Sequence, residues 1–441
     1  MYAVQVRNYG FLKRFPNDIP ASVKVKHLTK AFRNRFLGGR ILLDRRINPL
    51  LLKKMIPTGQ DCTGIWTRSE DAKKQFVRIG AGAGHGRMVS STGMTIFTLP
   101  LSALIITIVL HLIALRDFPK IGLLDFPERY GLKRGRLPYP TGIIAVLVFL
   151  GCFAFLAPWT EQSAGIFLGV LLIALASFMD DRKRLPAWVR LLVQAVAALL
   201  IFATDTRIYT LTDPFFGQGF IKLDTINIPT HLFGPLPLWS GVFTLFWLML
   251  TMNALNWFDG IPGQVSVLSV IGFVVIGGLA MSARVHQPDL AAVSFVLAAI
   301  ALGGLLFDFP PNRVLMGDTG AMFFGLMLGV LTIYAGGKVA TVFLVLGVPL
   351  IDLFIVVLRR IAKGESPMRG NAVDEHLHHR LLRKGWSPRQ IIVLTATIGT
   401  IFGICALFLS TIGKFAAAAI LFLLMLVLSM YSKPRTPGRV R

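Results

Sequence analysis

The chain has 441 residues, 54% of them hydrophobic and only 15% charged, with a mean hydropathy of +0.65. Long apolar stretches leave little room for charge, and this balance is that of a polytopic membrane protein rather than a soluble domain. The net charge of +24 follows from basic loops on one side of a membrane, so no nucleic-acid partner is expected. The three cysteines, Cys62, Cys152 and Cys405, are far apart and exclude a disulfide framework or a zinc knuckle.

Residues 1–93 hold 18 Lys and Arg against 5 Asp and Glu, a net +13. They carry no signal-peptide pattern and no amphipathic period. Two readings stand: a basic, poorly ordered extension, or chain ahead of a working start at Met94 or Met88. A transmembrane domain is expected over 94–432, with a basic tail at 433–441.

Apolar runs long enough to span follow near 95–115, 142–158, 162–179, 187–204, 239–255, 265–283, 288–307, 319–336, 338–358, 390–411 and 413–431. The expected fold is all-α, with about eleven transmembrane helices. Lys and Arg concentrate in the first, third and ninth loops, which places the odd loops in the cytoplasm. The long fourth loop, 205–238, has only Arg207 and Lys222 as cations and faces out. By the same count the segment of net +13 would be translocated, which conflicts with its charge.

The conspicuous polar residues all fall in odd loops. Loop three holds ASFMDDRKRLP (176–186), with Asp180 and Asp181; loop five holds TMNALNWFDGIPG (251–263), with Asn253, Asn256 and Asp259. Loop seven holds PPNRVLMGDTGAMFFG (310–325), with Asp318, and loop nine DEHLHHRLLRKGWS (374–387), with His376, His378 and His379. Each has a plain structural explanation. Paired acids cap helix ends, asparagines three apart join helices by hydrogen bonds, and an Asp before an apolar run is an N-cap. Against this, ionisable groups near membrane depth are costly. Oxygen-rich side chains on one helical face also suit magnesium. On a helix His376 and His379 share a face and His378 points elsewhere. That spacing does not close a zinc site, and imidazoles beside many cations fit an anionic substrate.

The segments DD at 180–181, NALNWFDG at 253–260, MGDTGAMFFG at 316–325 and HLHHRLL at 376–382 occur in order, after DFPERYGLKRGRLPYPTG at 125–142. Together they resemble the polyprenyl-phosphate N-acetylhexosamine-1-phosphate transferases, glycosyltransferase family 4, over about 95–430. The chain departs from that pattern at Pro262, where a second Asp is usual, and at Arg190, where a Lys is usual. It departs also at Lys133 in place of a His, and at Val373, with Asp374 one place late.

The resemblance implies transfer of N-acetylhexosamine-1-phosphate, GlcNAc-1-phosphate first, from a UDP-sugar to undecaprenyl phosphate with release of UMP. It implies Asp180, Asp181 and Asp259 as catalytic groups. Asn256 and Asp318 would be contacts for magnesium, with manganese as its substitute. Asn253, Arg190, His376, His378 and His379 would bind substrate. UDP-N-acetylhexosamine, undecaprenyl phosphate and membrane lipid are the partners, with a homodimer left open, at an inner membrane with the site facing the cytoplasm. A one-step displacement and an aspartyl-phosphate path both remain chemically open. The alternatives are a polytopic transporter and a transferase using UDP-MurNAc-pentapeptide. The three consecutive histidines typical of the latter are absent.

Overall fold

The computed structural model describes residues 93–130, 134–213, 219–230, 234–283, 285–336, 339–366 and 375–432. The readings made for 1–92 and for the tail at 433–441 lie outside these residues, as do Lys133, Val373 and Asp374.

Thirteen helices are present among the described residues. They are α1 (Gly93–Asp117), α2 (Gly142–Leu156), α3 (Glu161–Arg182), α4 (Ala187–Ala203), α5 (Leu238–Phe258), α6 (Gln264–Met281) and α7 (Pro288–Asp308). Then come α8 (Gly317–Tyr334), α9 (Val339–Val345), α10 (Gly347–Ala362), α11 (Leu377–Arg383), α12 (Pro388–Phe408) and α13 (Thr411–Tyr431). The all-α expectation holds, and the chain is a multi-pass membrane protein. The small sheets are two antiparallel hairpins in loop four. In them β1 (Thr210–Thr212) pairs with β2 (Phe220–Lys222) and β3 (Asn227–Ile228) with β4 (Leu236–Pro237).

Each of the eleven apolar runs is helical, but they are not equal crossings. Eight helices are long and apolar enough to span, α2 and α4 are shorter, and the run 338–358 is a pair, α9 and α10, bent by 85°. The break has a local cause. Pro349 lacks an N–H and its ring crowds the carbonyl four residues back, and Gly347 just before it weakens the turn.

Boundaries follow side-chain chemistry. Thr160 and Ser163 form a capping box at α3, Ser387 and Gln390 another at α12, and Pro288 and Pro388 open their helices. These satisfy N–H groups that a helix start leaves without partners.

The core centres on α8, almost all of whose residues are buried. It packs against α2, α3, α5 and α6. At Gly325 a side-chain Cβ would lie 2.7 Å from the Met252 Cα, so glycine is what lets α8 and α5 meet backbone to backbone. The outer helices keep apolar side chains exposed, as at Leu112, Leu175, Ile404 and Leu423, which is lipid-facing surface.

Candidate active site

The acid pair ends α3, yet its two members do different work. Asp181 accepts four hydrogen bonds: from the Tyr139 hydroxyl (2.5 Å), the Asp318 N–H (2.8 Å), the Thr319 N–H (3.0 Å) and the Thr319 hydroxyl (2.5 Å). The residue before α8, Met316, offers no cap of its own. A carboxylate from another helix therefore caps α8, where the helix dipole favours negative charge. Asp181 thus ties loops one, three and seven together and has its lone pairs in use.

Asp180 is buried. One oxygen accepts from the Leu185 N–H (2.5 Å), which holds the α3–α4 turn, and the other from Arg190 Nη1 (3.1 Å). The same Nη1 stands 3.5 Å from Asp318 Oδ2, so Arg190 bridges two acids from separate loops. Asp180, Arg190 and Asp318 lie at the mouth of a cleft between α3, α4 and α8. Its walls are Ile173, Ala176, Val193 and Met322, with Ser177 and Gln194.

In loop five, Asn253 donates to Gln194 Oε1 (2.6 Å) and the Met249 carbonyl (2.8 Å), and Gln194 donates back at 3.4 Å. This amide pair joins α5 to α4, the structural use that such asparagines have between helices. Asn256 is buried on the same helix, and its Nδ2 has no hydrogen-bond partner. Asp259 follows the helix end, half-buried, and its carboxylate makes no hydrogen bond or ion pair with any described residue. Burial, then the charges of Asp308, Asp318 and Asp181, hold it well above the usual carboxylate range.

Loop nine is placed by α10. Asp352 accepts from His376 Nδ1 (2.8 Å) and from the Leu377 N–H (3.0 Å), so it caps α11 and orients the imidazole at once. With the Nδ1 proton directed at the carboxylate, His376 Nε2 is left buried and unpartnered.

The expected shared face of His376 and His379 does not form. His376 sits in extended backbone ahead of the helix, where helical spacing does not apply, and its ring stacks instead on His378 at 5.7 Å and 8°. His379 lies beside His378, with ring centres 4.2 Å apart.

His378 reaches loop five. A Cβ on Gly260 would fall 1.9 Å from its Nε2, so only glycine after Asp259 admits this ring. Both His378 nitrogens are buried without partners. Burial, then the neighbouring His379 and His376, push its pKa well down, which keeps it neutral at pH 7. Arg360, on Glu375 (2.5 Å) and over the Trp257 ring (5.3 Å), braces loop nine against α5.

Of the sequence-predicted residues, Asp180, Asp181, Arg190 and Asp318 form one bonded group, while His378 packs on Gly260, the residue after Asp259. Asn253 is engaged with Gln194. Sequence reasoning missed Tyr139, Gln194, Thr319, Asp352 and Arg360. Asp352 carried a signal, as an acid inside the apolar run 338–358; Gln194, one helical turn after Arg190, carried a weaker one.

The donor set facing this region is oxygen-rich, and its acids outnumber the one bridging cation. Among the described residues no three acid, His or Cys side chains converge on one metal position. The oxygen donors of Asn256, Asp259 and Asp318 are of the hard type that magnesium takes, one or two carboxylates with the shell completed by substrate phosphates and water.

The sequence model of glycosyl transferase family 4 matches residues 163–336, the stretch that carries Asp180, Asp181, Asn256, Asp259 and Asp318. The chain is 29% identical over 344 residues to a probable undecaprenyl-phosphate N-acetylglucosaminyl 1-phosphate transferase of Bacillus subtilis, covering 76% of this chain and 89% of the relative. It is 29% identical over 334 residues to the undecaprenyl-phosphate alpha-N-acetylglucosaminyl 1-phosphate transferase of Yersinia pestis, covering 71% and 84%. It is 30% identical over 258 residues to a decaprenyl-phosphate N-acetylglucosaminephosphotransferase of Mycolicibacterium smegmatis, covering 53% and 60%. The motif residues are gathered at one end of a helical membrane bundle, in a chain that is similar over 163–336 to glycosyl transferase family 4 and over most of its length to polyprenyl-phosphate sugar phosphotransferases, and that similarity identifies it as a membrane-embedded phosphotransferase.

Proposed function

We propose that this enzyme transfers GlcNAc-1-phosphate from UDP-GlcNAc to undecaprenyl phosphate, releasing UMP and forming a lipid-diphosphate sugar that starts a cell-surface glycan. The observation that carries the reading is the cleft at Asp180, Arg190 and Asp318. Its rim is charged and its walls, Ile173, Ala176, Val193 and Met322, are apolar, which suits a phosphate with a hydrocarbon tail. The acidic end faces the cytoplasm of an inner membrane, in keeping with the basic odd loops.

The reaction joins two anions, so charge must be offset before phosphorus can be attacked. Asn256 and Asp318 would hold magnesium, which would supply electrostatic stabilisation of the diphosphate. Arg190, already between two carboxylates, exchanges one of them for the acceptor phosphate. Asp180 then orients that phosphate for attack. The phosphate's second ionisation lies near about 6, so no strong base is required and positioning dominates. Asp181 keeps the α8 N-terminus in register with α3. Asp259, whose carboxyl burial favours in the protonated form, and His378, held neutral, bound the site on the loop-nine side and keep added negative charge low. His376, oriented by Asp352, presents Nε2 to the donor.

The test is release of UMP by purified protein from UDP-GlcNAc, dependent on both polyprenyl phosphate and magnesium. UDP-MurNAc-pentapeptide and UDP-GalNAc serve as competing donors. Release without the lipid phosphate, or preference for the pentapeptide donor, sinks the proposal.

A further inference from the structure

A second charged feature stands apart from the cleft, where α10, α11 and α13 end together. Arg380 of α11 is 4% exposed. It donates from Nη1 to the Ser429 carbonyl and from Nη2 to the Ser429 hydroxyl, each at 3.1 Å. Arg359 of α10 donates to the same hydroxyl at 2.5 Å. Ser429 lies in the last turn of α13, so the helix's terminal carbonyls account for one cation. They do not account for two. The end of a helix carries about half a negative charge, and two guanidiniums share one hydroxyl here.

No carboxylate among the described residues pairs with either arginine. Asp352 is already taken by His376 and the Leu377 N–H, and Glu375 by Arg360. The Nε of Arg380 is buried and makes no hydrogen bond. Burial, then the Arg359 charge, push the Arg380 guanidinium down to about 10; the Asp352 charge opposes this in part, and Arg383 adds to the repulsion. Buried cations crowded this way call for an anion.

The surroundings say which kind. α10 and α13 pack together, and near the ends that carry this cluster they expose Phe354, Leu358 and Ile361 from one helix and Val427 and Met430 from the other. A cationic pocket with a lipid-facing apolar wall matches a molecule with an anionic head and hydrocarbon chains. Guanidinium forks suit phosphate oxygens, and cations at a span's end lie at headgroup depth.

We propose that Arg359 and Arg380 bind the phosphate of an anionic phospholipid, whose acyl chains lie along the exposed α10–α13 surface. This lipid is a structural ligand, distinct from the acceptor in the cleft at Asp180, and its binding does not depend on the reaction assigned above.

The test is native mass spectrometry of the full chain in neutral detergent, with phosphatidylglycerol, phosphatidylcholine and inorganic phosphate as probes. Wild type retains one phosphatidylglycerol and releases phosphatidylcholine. Arg359→Gln weakens retention about tenfold, the loss of one charge-assisted contact, while transfer activity in neutral-lipid discs matches wild type. Arg383→Gln, on the exposed side of the cluster, weakens retention about threefold and serves if Arg359→Gln does not accumulate. Equal retention by wild type and both variants overturns the proposal, as does equal retention of phosphatidylcholine. Displacement of the lipid by millimolar inorganic phosphate makes this a free-anion site and overturns the lipid assignment.

Discussion

The two ends of the bundle are both polar, and they are built on opposite principles. At the hairpin end Asp205 takes hydrogen bonds from the Arg207 guanidinium, the Tyr209 hydroxyl and Gln162. Arg207 also lies over the Phe202 and Tyr209 rings, and burial together with Asp205 pushes the Tyr209 phenol up to about 12. One acid meets one cation and the network closes, with the single Arg207 Nη1 left over. At the other end Arg190 alone bridges Asp180 and Asp318, Asp259 has no partner among the described residues, and Asn256, His376 and His378 keep buried atoms without partners. A satisfied network rigidifies a fold, whereas an unsatisfied one stores binding capacity for a ligand. Polarity alone does not mark the site; unspent charge and unspent hydrogen bonds do.

That contrast breaks first at Asp318. Asp318→Asn removes the charge that Arg190 and the diphosphate's counter-ion require, and turnover falls about 10³-fold. The Tm in detergent stays within a few degrees, because the capping acceptor is Asp181. Steady-state UMP release and a melting curve on the same preparation check both halves.

Gly260→Ala comes next. The new Cβ would sit 1.9 Å from His378 Nε2, so loop nine must shift, and a displacement of about 1 Å costs about 10²-fold in kcat. Activity near wild type shows that loop nine can move freely past loop five.

Unspent charge also predicts changes in stability. Asp259 has a folded pKa raised above its unfolded value of about 3.9. The folded state then binds more protons than the unfolded one above that pH, so stability falls as pH rises towards the folded pKa. Asp259→Asn removes this penalty, raising the Tm at pH 7 by a few degrees while lowering turnover. His378 runs the other way. Its folded pKa is depressed, so below the unfolded value of about 6.5 the unfolded state takes the proton first and stability falls with acidification. His378→Gln flattens the Tm profile between pH 7 and 5, and an unchanged profile assigns that slope to other groups.

The smallest effect belongs to the closed network. Asp205→Asn loses about 1 kcal/mol of stability and leaves kcat within twofold, read from denaturation and UMP release together. A large loss of kcat erases the distinction between the two ends.

Much of this was legible in the sequence because membrane helices announce themselves by length and hydropathy, and because Asp180, Asp181, Asp259 and Asp318 interrupt apolar runs at their ends. The bend at Leu346 was hidden inside a run that stayed apolar across it. The histidine stacking was hidden because it depends on where α11 begins, which Asp352 decides from 24 residues away. The split between Asp180 and Asp181 was equally unreadable. Adjacent residues near a helix end differ by about 100° in direction, and only the position of α8 shows which one meets its N-terminus.

The contact between Asp181 and the start of α8 spans 137 residues of chain, and it has a consequence for biogenesis. During synthesis Asp181 leaves the ribosome after Tyr139, one of its partners, but well before Asp318 and Thr319, the α8 residues that it caps. Loops one, three and seven lock only once α8 has entered the bundle, and the histidines, pinned by Asp352, arrive later still. The chain therefore matures in two stages, an acidic half and then a histidine half. A nascent chain stopped after Tyr334 has the first half without the second: all four acids are in place, and the ring that packs against Gly260 has not been made.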